Sequence, residues 1–227
     1  MISNKSVVAV IPVRAGSRRL PNKNILPFGD SNLLIHKIRQ LKQVPTIDSI
    51  VVSSDSDIML QMARDEGVGT HKRAPEYCDE KTKTFNEVVQ NVAQNVQGDI
   101  LMWAPCVCPL TTPENYIAAL NIFDEKCLKS REYDSVISGK MFKEYLWDDA
   151  KPLNYNPVKH VPSQQLPNWK IIVNGFYIAE RQNMVDWRYF YGKKPFISIL
   201  SKREAVDIDD AEDFAIAKAL LGIEKTR

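Results

Sequence analysis

The sequence predicts an α/β protein with three layers, in which a mostly parallel sheet is covered by helices on both faces. Short continuous apolar runs such as residues 7–11 are typical of strands that are buried on both faces, as in parallel sheets. Segments with helical spacing of apolar residues alternate with such runs over roughly the first 125 residues. A length of 227 residues fits one large domain, because domains commonly contain about 150 residues. We therefore expect a single domain over residues 1–227.

The first strand, helix and strand are predicted within residues 7–52. The strand at residues 7–11 (Val-Val-Ala-Val-Ile) is followed by a loop rich in Gly, Pro and basic residues at 12–29. The apolar run at residues 47–52 predicts the second strand. A helix is predicted between the two strands from apolar residues at helical spacing, which are Leu33, Leu34, Ile38 and Leu41.

Further helices and strands follow in alternation. Helices are predicted at residues 56–66 and 84–97, because Gly67 and Gly98 act as stop signals. The apolar run at residues 99–103 predicts a third buried strand.

A fourth helix is predicted to begin at residues 111–114 (Thr-Thr-Pro-Glu). A hydroxyl cap, a proline at the first helical position and an acid in the first turn are all start signals. Residues 134–138 predict a fourth core strand, and residues 209–221 predict a closing helix. The apolar face of that closing helix is expected to contain Phe214, Ala217 and Leu221.

Residues 139–195 differ in composition from the rest of the chain. They contain three of the four tryptophans and five of the eight tyrosines. Prolines at five-residue intervals disfavour a long helix, and an Asn174-Gly175 pair predicts a turn that leads into a strand. We interpret residues 140–195 as a small lobe inserted into the main sheet. The prolines are Pro152, Pro157, Pro162 and Pro167.

Composition and charge exclude several classes of protein. The 30 Lys and Arg residues against 28 Asp and Glu give a net charge of +2, too small for a general nucleic-acid binder. A hydrophobic content of 44% with 26% charged residues excludes extensive disorder. No apolar stretch approaches the ~20 residues of a membrane-spanning helix, and residues 1–6 lack the apolar run of a signal peptide. We expect a cytoplasmic protein with no nucleic-acid or membrane partner.

The four cysteines do not have the spacing of a zinc site, and the chain has only three histidines, so we expect reduced thiols. Cys106 and Cys108 occur in the segment Pro-Cys-Val-Cys-Pro. Strand-like alternation points both sulfurs to one face, which we predict to be the wall of a pocket.

The loop after the first strand is the leading candidate for a binding site, because α/β sheets bind ligands at the carboxyl ends of their parallel strands. It carries Arg14, Arg18, Arg19 and Lys23 around a Gly-Ser turn, a set that suits a triphosphate. The spacing of a Walker loop is absent. A solvated basic loop with no ligand is the alternative.

A pair of carboxylates lies near the end of the chain. Asp207 and Asp209 flank one apolar residue, and an extended backbone would project them from the same face. Two such carboxylates can hold Mg²⁺ together with water and phosphate oxygens. Asp210, Glu212 and Asp213 are interpreted as first-turn acids that complement the helix dipole.

These motifs resemble those of the CMP-sugar-acid synthetases, the acylneuraminate and Kdo cytidylyltransferases. Residues 11–25 read IPVRAGSRRLPNKNI, which is similar to that family's first motif, I-P-A-R-x-G-S-K-G-I-P-x-K-N-I. The segments VVSSDSD (51–57), KRAPEYCDEKTKT (72–84) and VDIDDAEDF (206–214) resemble later motifs in the same order. Arg18 replaces a lysine of the family motif, and Arg19 stands where glycine is common.

The resemblance implies a Rossmann-like sheet of the nucleotide-diphospho-sugar transferase type and transfer of CMP from CTP with release of pyrophosphate. It implies catalytic roles for Arg14, Lys23 and Asp209, and Mg²⁺ or Mn²⁺ bound by Asp207 and Asp209. Arg73 could equally be a surface arginine, and Thr84 a helix cap. The nucleotide-binding residues implied are Arg14, Ala15, Gly16, Ser17, Arg18, Lys23, Asn24, Arg73 and Thr84.

The acceptor half departs from the family pattern. Residues 101–111 read LMWAPCVCPLT where sialate members have L-Q-P-T-S-P-L-R, and two family arginines are replaced by Ser163 and Ile172. Without these arginines, the carboxylate of a sugar-acid acceptor would lack a charge-assisted pair. The acceptor could therefore be a sugar acid or another small anion, such as a phosphate or phosphonate. The candidate acceptor-binding residues are Trp103, Gln164, Gln165 and Asn174.

Three further expectations follow from the resemblance. Residues 140–195 correspond to a dimerisation arm, so a homodimer is expected, with coverage of the sheet edge in a monomer as the alternative. A catalytically silent nucleotide-binding homologue is disfavoured, because the motif residues Arg14, Lys23, Asp207 and Asp209 are present. A glycosyltransferase that binds a nucleotide-sugar through a D-x-D motif is also disfavoured, because its donor site would not require the loop at residues 11–25.

Overall fold

The computed structural model describes residues 1–17, 19–79 and 81–224. Among these residues the helices are α1 (Leu33–Leu41), α2 (Asp57–Asp65), α3 (Phe85–Asn95), α4 (Pro113–Phe123), α5 (Arg181–Trp187) and α6 (Ala211–Glu224). The strands are β1 (Val7–Pro12), β2 (Pro27–Phe28), β3 (Ser31–Asn32), β4 (Ser49–Ser54), β5 (Gly69–Lys72), β6 (Ile100–Trp103), β7 (Ser135–Phe142), β8 (Trp169–Glu180) and β9 (Pro195–Ile199).

Seven of these strands form one sheet in the order β5-β4-β1-β6-β8-β7-β9. The pairings β5–β4, β4–β1, β1–β6 and β7–β9 are parallel, whereas β8 is antiparallel to both of its neighbours. The mostly parallel α/β sheet predicted from the sequence is therefore confirmed. Strands β2 and β3 form a separate small hairpin.

Strand β1 shows why the apolar runs are continuous. Its residues alternate between two cores, with Val7, Ala9 and Ile11 on one side of the sheet and Val8 and Val10 on the other. The first core contains side chains of α1, α2, α4 and α6, and the second contains side chains of α3 and α5. Helices thus cover both faces of the sheet, and a strand buried on both faces needs apolar residues throughout.

The sequence did not predict five elements: β2, β3, β5, α5 and β9. Strand β5 has the sequence Gly-Thr-His-Lys and three of its four residues are exposed, so it has no apolar run. It pairs with β4 and forms one edge of the sheet. Edge strands are short and polar in many proteins, because a long apolar edge would promote aggregation.

The turn predicted at Asn174-Gly175 is wrong, because β8 runs through both residues. The register between β7 and β8 shifts there, and the Ser138 hydroxyl accepts hydrogen bonds from the backbone N–H groups of Gly175 (3.1 Å) and Phe176 (3.0 Å). A Cβ at residue 175 would lie 3.0 Å from the Ser138 oxygen and 3.0 Å from Leu200. The glycine therefore allows close approach of the backbone at a β-bulge, rather than a reversal of the chain.

Residues 143–168, between β7 and β8, leave the sheet in a segment that we call the excursion. It forms turns and one short 3₁₀ helix, Ser163–Gln165. Strand β8 then returns to the central sheet between β6 and β7. Within the described ranges, no helix is long and apolar enough to cross a membrane.

Candidate functional site

The candidate site lies at the edge of the sheet where the parallel strands β1, β4, β5 and β6 end. The segments that follow β1, β5 and β6, together with β8 and the segment after α5, enclose a cavity of about 360 Å³ at this edge. The segment before α6 lies next to this cavity, but neither Asp207 nor Asp209 lines it, and Asp207 lines a second cavity of about 280 Å³ with residues of β8. The described residues that line it are Pro12, Val13, Arg14, Ser17, Lys23, Asn24, Arg73, Tyr77, Cys78, Asp79, Lys83, Thr84, Phe85, Val88, Trp103, Pro105, Val107, Asn174, Tyr177 and Phe190.

The loop after β1 is held in place by bonds to neighbouring segments. The Arg14 guanidinium donates to the carbonyl of Cys78 (3.1 Å), and the backbone N–H of Ala15 donates to the Asp55 carboxylate (3.1 Å). The Asn24 amide donates to the Arg14 carbonyl (3.0 Å) and accepts from the Cys106 thiol (3.2 Å). Asn24 is buried, so both ends of its side chain support the loop beneath the cavity.

The loop also reaches the segment that precedes α6. The Lys23 ammonium donates to the carbonyl of Ile208 (2.7 Å) and lies 3.9 Å from the carboxylate of Asp209. Arg19 forms a 2.6 Å ion pair with the same carboxylate. Residues far apart in the sequence therefore converge, as the hypothesis of one nucleotide site requires. Lys23 has only 14% of its side chain exposed, whereas the Arg19 and Asp209 side chains are half exposed or more.

Asp207 is more enclosed than Asp209. Its Oδ2 accepts a 2.7 Å hydrogen bond from Asn174 Nδ2, and its Oδ1 is buried without a hydrogen-bond partner. Burial raises the pKa of the Asp207 carboxyl, the Asp209 charge raises it further, and the hydrogen bonds from Asn174 lower it. The Asn174 Oδ1 in turn accepts from the Tyr177 hydroxyl (2.9 Å).

A divalent cation fits these carboxylates. A buried carboxylate oxygen with no partner costs free energy, and a cation would relieve that cost. Within the described residues, no group of three or more His, Cys, Asp and Glu side chains could hold a metal by itself. Mg²⁺ commonly uses one or two carboxylates together with substrate phosphates and water, so Asp207 and Asp209 suit an ion that arrives with a triphosphate.

The segment between β5 and α3 forms another wall of the cavity. Arg73 is buried, donates to the carbonyl of Val13, and has an Nε with no hydrogen-bond partner. Burial lowers its pKa, and the nearby Cys78 is the largest opposing influence. A surface arginine is therefore excluded. Thr84 lines the cavity and also caps α3, since its hydroxyl and backbone bond reciprocally with Glu87.

A further wall of the cavity is aromatic. Phe190 lies between Trp103 and Tyr177, with its ring stacked on Tyr177 (4.5 Å between centroids, 19° between planes) and edge-on to Trp103 (4.9 Å). Phe85 packs edge-on against Phe190 at 5.1 Å and is 55% exposed. These faces can hold apolar or acylated parts of a ligand, whereas the cations lie on the segments after β1 and β5.

The prediction that Cys106 and Cys108 form the pocket wall is wrong. The alternation does point both sulfurs the same way, but towards the protein interior, where both residues are buried. Pro105 and Val107 line the cavity instead. The segment is supported from below by Lys37, which is fully buried and donates to the carbonyl of Cys108 (2.9 Å). The Ile208 N–H donates to the carbonyl of Val107 (2.9 Å), which ties the two segments together.

The predicted site residues separate into groups. Among the acceptor candidates, Gln164 and Gln165 are exposed on the excursion and do not line the cavity. Ala15 and Gly16 do not line the cavity either, although they connect Arg14 to Ser17. Arg18 lies outside the described residues. The predicted residues that line the cavity are Arg14, Ser17, Lys23, Asn24, Arg73, Thr84, Trp103 and Asn174.

Several lining residues were not predicted from the sequence. Tyr77, Cys78 and Lys83 lie within the KRAPEYCDEKTKT segment. Their closeness in sequence to Arg73, which was predicted, could have indicated that they also line the cavity. Tyr177 and Phe190 belong to the aromatic-rich segment, but no motif marked them. They meet because α5 returns the chain to the face of the sheet that carries Trp103.

Comparison with known proteins identifies similar chains. Residues 8–165 match the family model described as "Cytidylyltransferase". The chain is 22% identical over 223 residues to N-acylneuraminate cytidylyltransferase A of Danio rerio, covering 95% of this chain and 50% of that protein. It is 27% identical over 242 residues to CMP-N,N'-diacetyllegionaminic acid synthase of Legionella pneumophila, covering 96% and 97% of the two chains. The chain thus spans about half the length of some relatives and nearly all of others.

A solved structure supports the fold. CMP:2-keto-3-deoxy-manno-octonic acid synthetase complexed with CTP matches with a TM-score of 0.69 and 15% identity, over 96% of this chain and 99% of that one. At this identity the likeness establishes a shared fold.

Proposed function

Because the chain belongs to the cytidylyltransferase family, we propose that it transfers a cytidylyl group from CTP to a hydroxyl of a sugar acid and releases pyrophosphate. The convergence of Lys23 and Asp209, with 3.9 Å between the ammonium and the carboxylate, is the observation that carries this proposal. It places the cationic loop that lines the cavity beside the acidic segment, as a metal-bound triphosphate requires.

In the proposed reaction the acceptor oxygen attacks the α-phosphorus of CTP. A new bond forms between this oxygen and the phosphorus, the bond to the bridging oxygen breaks, and pyrophosphate leaves while the hydroxyl proton is released. Negative charge builds on the nonbridging and leaving oxygens, so fixed cations beside them lower the barrier. Arg14 and Lys23 are proposed to supply these charges, and Ser17 and Arg18 to contact the phosphates from the same loop.

The nucleotide is proposed to extend from this loop along the wall that follows β5. Arg73 is suited to a polar contact there, because its buried Nε has no partner within the protein. The Asn24 amide is bonded at both ends to the protein, so we assign it to holding the loop. The hydroxyl of Thr84 is engaged by Glu87, so its contribution to the nucleotide is secondary to its role as a helix cap.

Asp207 and Asp209 are proposed to hold Mg²⁺ or Mn²⁺. The ion would neutralise phosphate charge and lower the pKa of the acceptor hydroxyl. Arg19 and Lys23 both approach Oδ1 of Asp209, so an ion on Oδ2 would leave these pairs in place, and the half-exposed pair with Arg19 can open at low cost if the ion takes Oδ1.

The acceptor is proposed to occupy the aromatic side of the cavity. The relatives are named for acylneuraminate and diacetyllegionaminic acid, sugar acids that combine a carboxylate with acyl groups. Trp103, Tyr177 and Phe190 offer faces for such groups. The replacement of two family arginines by Ser163 and Ile172 favours one alternative, a CTP-dependent enzyme whose acceptor is a different small anion, such as a phosphate or phosphonate.

We also propose a homodimer. Beyond Gly139 the β7 and β8 strands carry apolar side chains that are more than a third exposed in the single chain: Met141, Trp169, Ile171 and Ile172. A second copy seated on this surface would bury them. In such a dimer Gln164 and Gln165, on the excursion, would be candidates to contact the acceptor bound by the partner.

A pyrophosphate-release assay tests the function. CTP is combined with Mg²⁺ and, one at a time, with N-acetylneuraminate, N,N'-diacetyllegionaminic acid, pseudaminic acid, Kdo and small phosphorylated acceptors. We expect release with CTP and a sugar acid, and little with ATP, GTP or UTP. The methyl ester of the accepted acid is the matched substrate control, because it keeps the hydroxyl and loses the negative charge.

Each result has a distinct meaning. Release only with phosphorylated acceptors supports the alternative acceptor class. No release with any acceptor, despite binding of CTP, would contradict cytidylyl transfer and indicate a nucleotide-binding homologue. Equal release with UTP would contradict selection of cytosine.

A further inference from the structure

A chain of two hydrogen bonds connects the aromatic wall of the cavity to a carboxylate of the candidate metal site. The Tyr177 hydroxyl donates to Asn174 Oδ1 at 2.9 Å, and Asn174 Nδ2 donates to Asp207 Oδ2 at 2.7 Å. The orientation of the amide is fixed by chemistry, since an ionised carboxylate can only accept and therefore requires the Nδ2 end. The second oxygen of Asp207, Oδ1, is left buried and unpartnered.

This arrangement depends on the β-bulge in β8. In a regular strand, residues 174 and 177 would point to opposite faces of the sheet, because they are separated by an odd number of positions. The register shift opposite Ser138 breaks the alternation, and the Ser138 hydroxyl holds the bulge by accepting from the N–H groups of Gly175 and Phe176. The bulge therefore brings the tyrosine hydroxyl to the amide, and bulges commonly re-aim side chains in this way.

We propose that Tyr177 and Asn174 are positioning residues that fix the rotation of the Asp207 carboxylate, so that Oδ1 is presented to the divalent cation. The inference rests on the proposed function, because it assigns the cation to that site. A carboxylate held by a second residue loses less rotational freedom when the ion binds, and residues that orient metal ligands typically affect metal affinity rather than the chemical step. Tyr177 is well placed to do this, since its ring is stacked on Phe190 and only 6% of the residue is exposed.

The test measures uptake of Mn²⁺ by the complex of the protein with CTP, without acceptor and so without turnover, from the electron paramagnetic resonance signal of free Mn²⁺. Tyr177→Phe keeps the stacked ring and removes the hydroxyl. We expect it to weaken Mn²⁺ binding about fivefold, the equivalent of one neutral hydrogen bond. Asn174→Leu, at a position exposed to the cavity, is expected to give a similar loss with no change in the core. Tyr189→Phe is the matched control, because Tyr189 belongs to the same aromatic group and does not line the cavity.

The double variant distinguishes a relay from two independent effects. If the tyrosine acts through the asparagine, Tyr177→Phe adds no further loss in the Asn174→Leu background. In turnover assays the concentration of Mg²⁺ at half-maximal rate should rise in Tyr177→Phe, and kcat should recover at saturating Mg²⁺. A purely structural defect would not be rescued by metal.

Several results would overturn the inference. These are equal Mn²⁺ affinity in Tyr177→Phe and wild type, additive losses in the double variant, a kcat loss that persists at saturating Mg²⁺, or no Mn²⁺ uptake by the wild-type complex beyond that of CTP alone. Because Mn²⁺ uptake is measured without acceptor, absence of transfer to every acid would contradict the proposed function while the expected affinity pattern still supported the relay. Transfer with unchanged Mn²⁺ affinity would contradict the relay alone.

Discussion

At the scale of single residues, Lys23 joins the two halves of the candidate site. It is largely buried, donates to the Ile208 carbonyl and lies 3.9 Å from Asp209, so its charge is shared between the loop and the acidic segment. Arginine is not an equivalent replacement for Lys23, because its planar guanidinium needs more room than a compact ammonium group.

Replacing Lys23 by alanine should therefore remove a charge needed in the transition state. We expect the rate of pyrophosphate release to fall about 100-fold or more, as for loss of a single oxyanion donor. The fold should persist, because the one hydrogen bond lost is worth about 1 kcal/mol. Asp209→Asn should lower the rate of release by a similar factor or more, through the proposed metal site.

The control for these variants is Arg39→Gln. It removes an arginine that pairs with a carboxylate, Glu66 at 2.8 Å, on the surface of α1 rather than in the candidate site. Circular dichroism and pyrophosphate release are measured for all three proteins. Unchanged turnover in Lys23→Ala or Asp209→Asn would refute the assigned roles.

At the scale of elements, α1 supports the site from inside the protein. Three of its residues bond to carbonyls of the segment after β6: Lys37 to Cys108, and both His36 and Gln40 to Pro109. Lys37 is fully buried, and burial lowers its pKa to about 8. A charged Lys37 therefore lowers the free energy of unfolding, and its hydrogen bond to the carbonyl of Cys108 offsets part of this loss.

The buried lysine predicts a particular dependence of stability on pH. Between about pH 8 and the ordinary lysine pKa of 10.5, the unfolded chain keeps a proton that the folded chain has released. The free energy of unfolding contributed by Lys37 therefore rises with pH across this window, by at most about 3 kcal/mol. Below pH 8 both states are protonated, so the contribution is constant there.

Comparison with Lys37→Met isolates this effect. Urea unfolding of both proteins is measured at neutral pH and at about pH 10. We expect the stability of the wild type relative to Lys37→Met to increase with pH. The buried thiols oppose this trend, since burial raises the pKa of Cys106 to about 11 and the Lys37 charge lowers it. Lys37→Met removes the lowering influence, which shifts the difference between the two proteins in the same direction as the expected effect. A difference that stays constant or falls with pH would contradict a neutral Lys37 in the folded protein at alkaline pH.

Elements also show how far sequence reasoning could go. Runs buried on both faces, such as β1 and β6, were predictable because burial requires apolar residues at every position. The first motif and the Asp207 and Asp209 pair were predictable because their spacing is local. The bulge at Asn174-Gly175 was not, because it depends on Ser138 in another strand, and a local Asn-Gly pair favours a turn equally well.

The same limit applies to the aromatic wall and the cysteines. Phe190 reaches Trp103 only because α5 and β8 bring distant parts of the chain together. The alternation of Cys106, Val107 and Cys108 correctly predicted two faces, but the sequence did not indicate which face was the interior. Tertiary contacts of this kind have no local signature.

At the scale of the whole molecule, the sheet extends beyond the domain core. Beyond Gly139, β7 and β8 carry paired residues such as Lys140 and Ile171 on a two-stranded extension. Its apolar residues are exposed in the single chain, and Ile171 is 40% exposed. Neighbouring exposed apolar residues of this kind commonly mark a surface that binds another chain.

Ile171→Glu tests whether this extension joins two copies. A carboxylate placed at each copy's contact surface would be buried without a cation, so we expect the dimer to dissociate. Sedimentation velocity should show a dimer for the wild type and a monomer for this variant. Ile58→Glu is the matched control, since Ile58 is 65% exposed on α2, and it should remain dimeric. If all three proteins sediment as monomers, or Ile171→Glu remains a dimer, the extension does not form the interface.

If Gln164 and Gln165 contact an acceptor in the partner's cavity, the monomeric variant should also show a raised KM for the acceptor. The KM for CTP should change little, because the nucleotide wall is built within one chain.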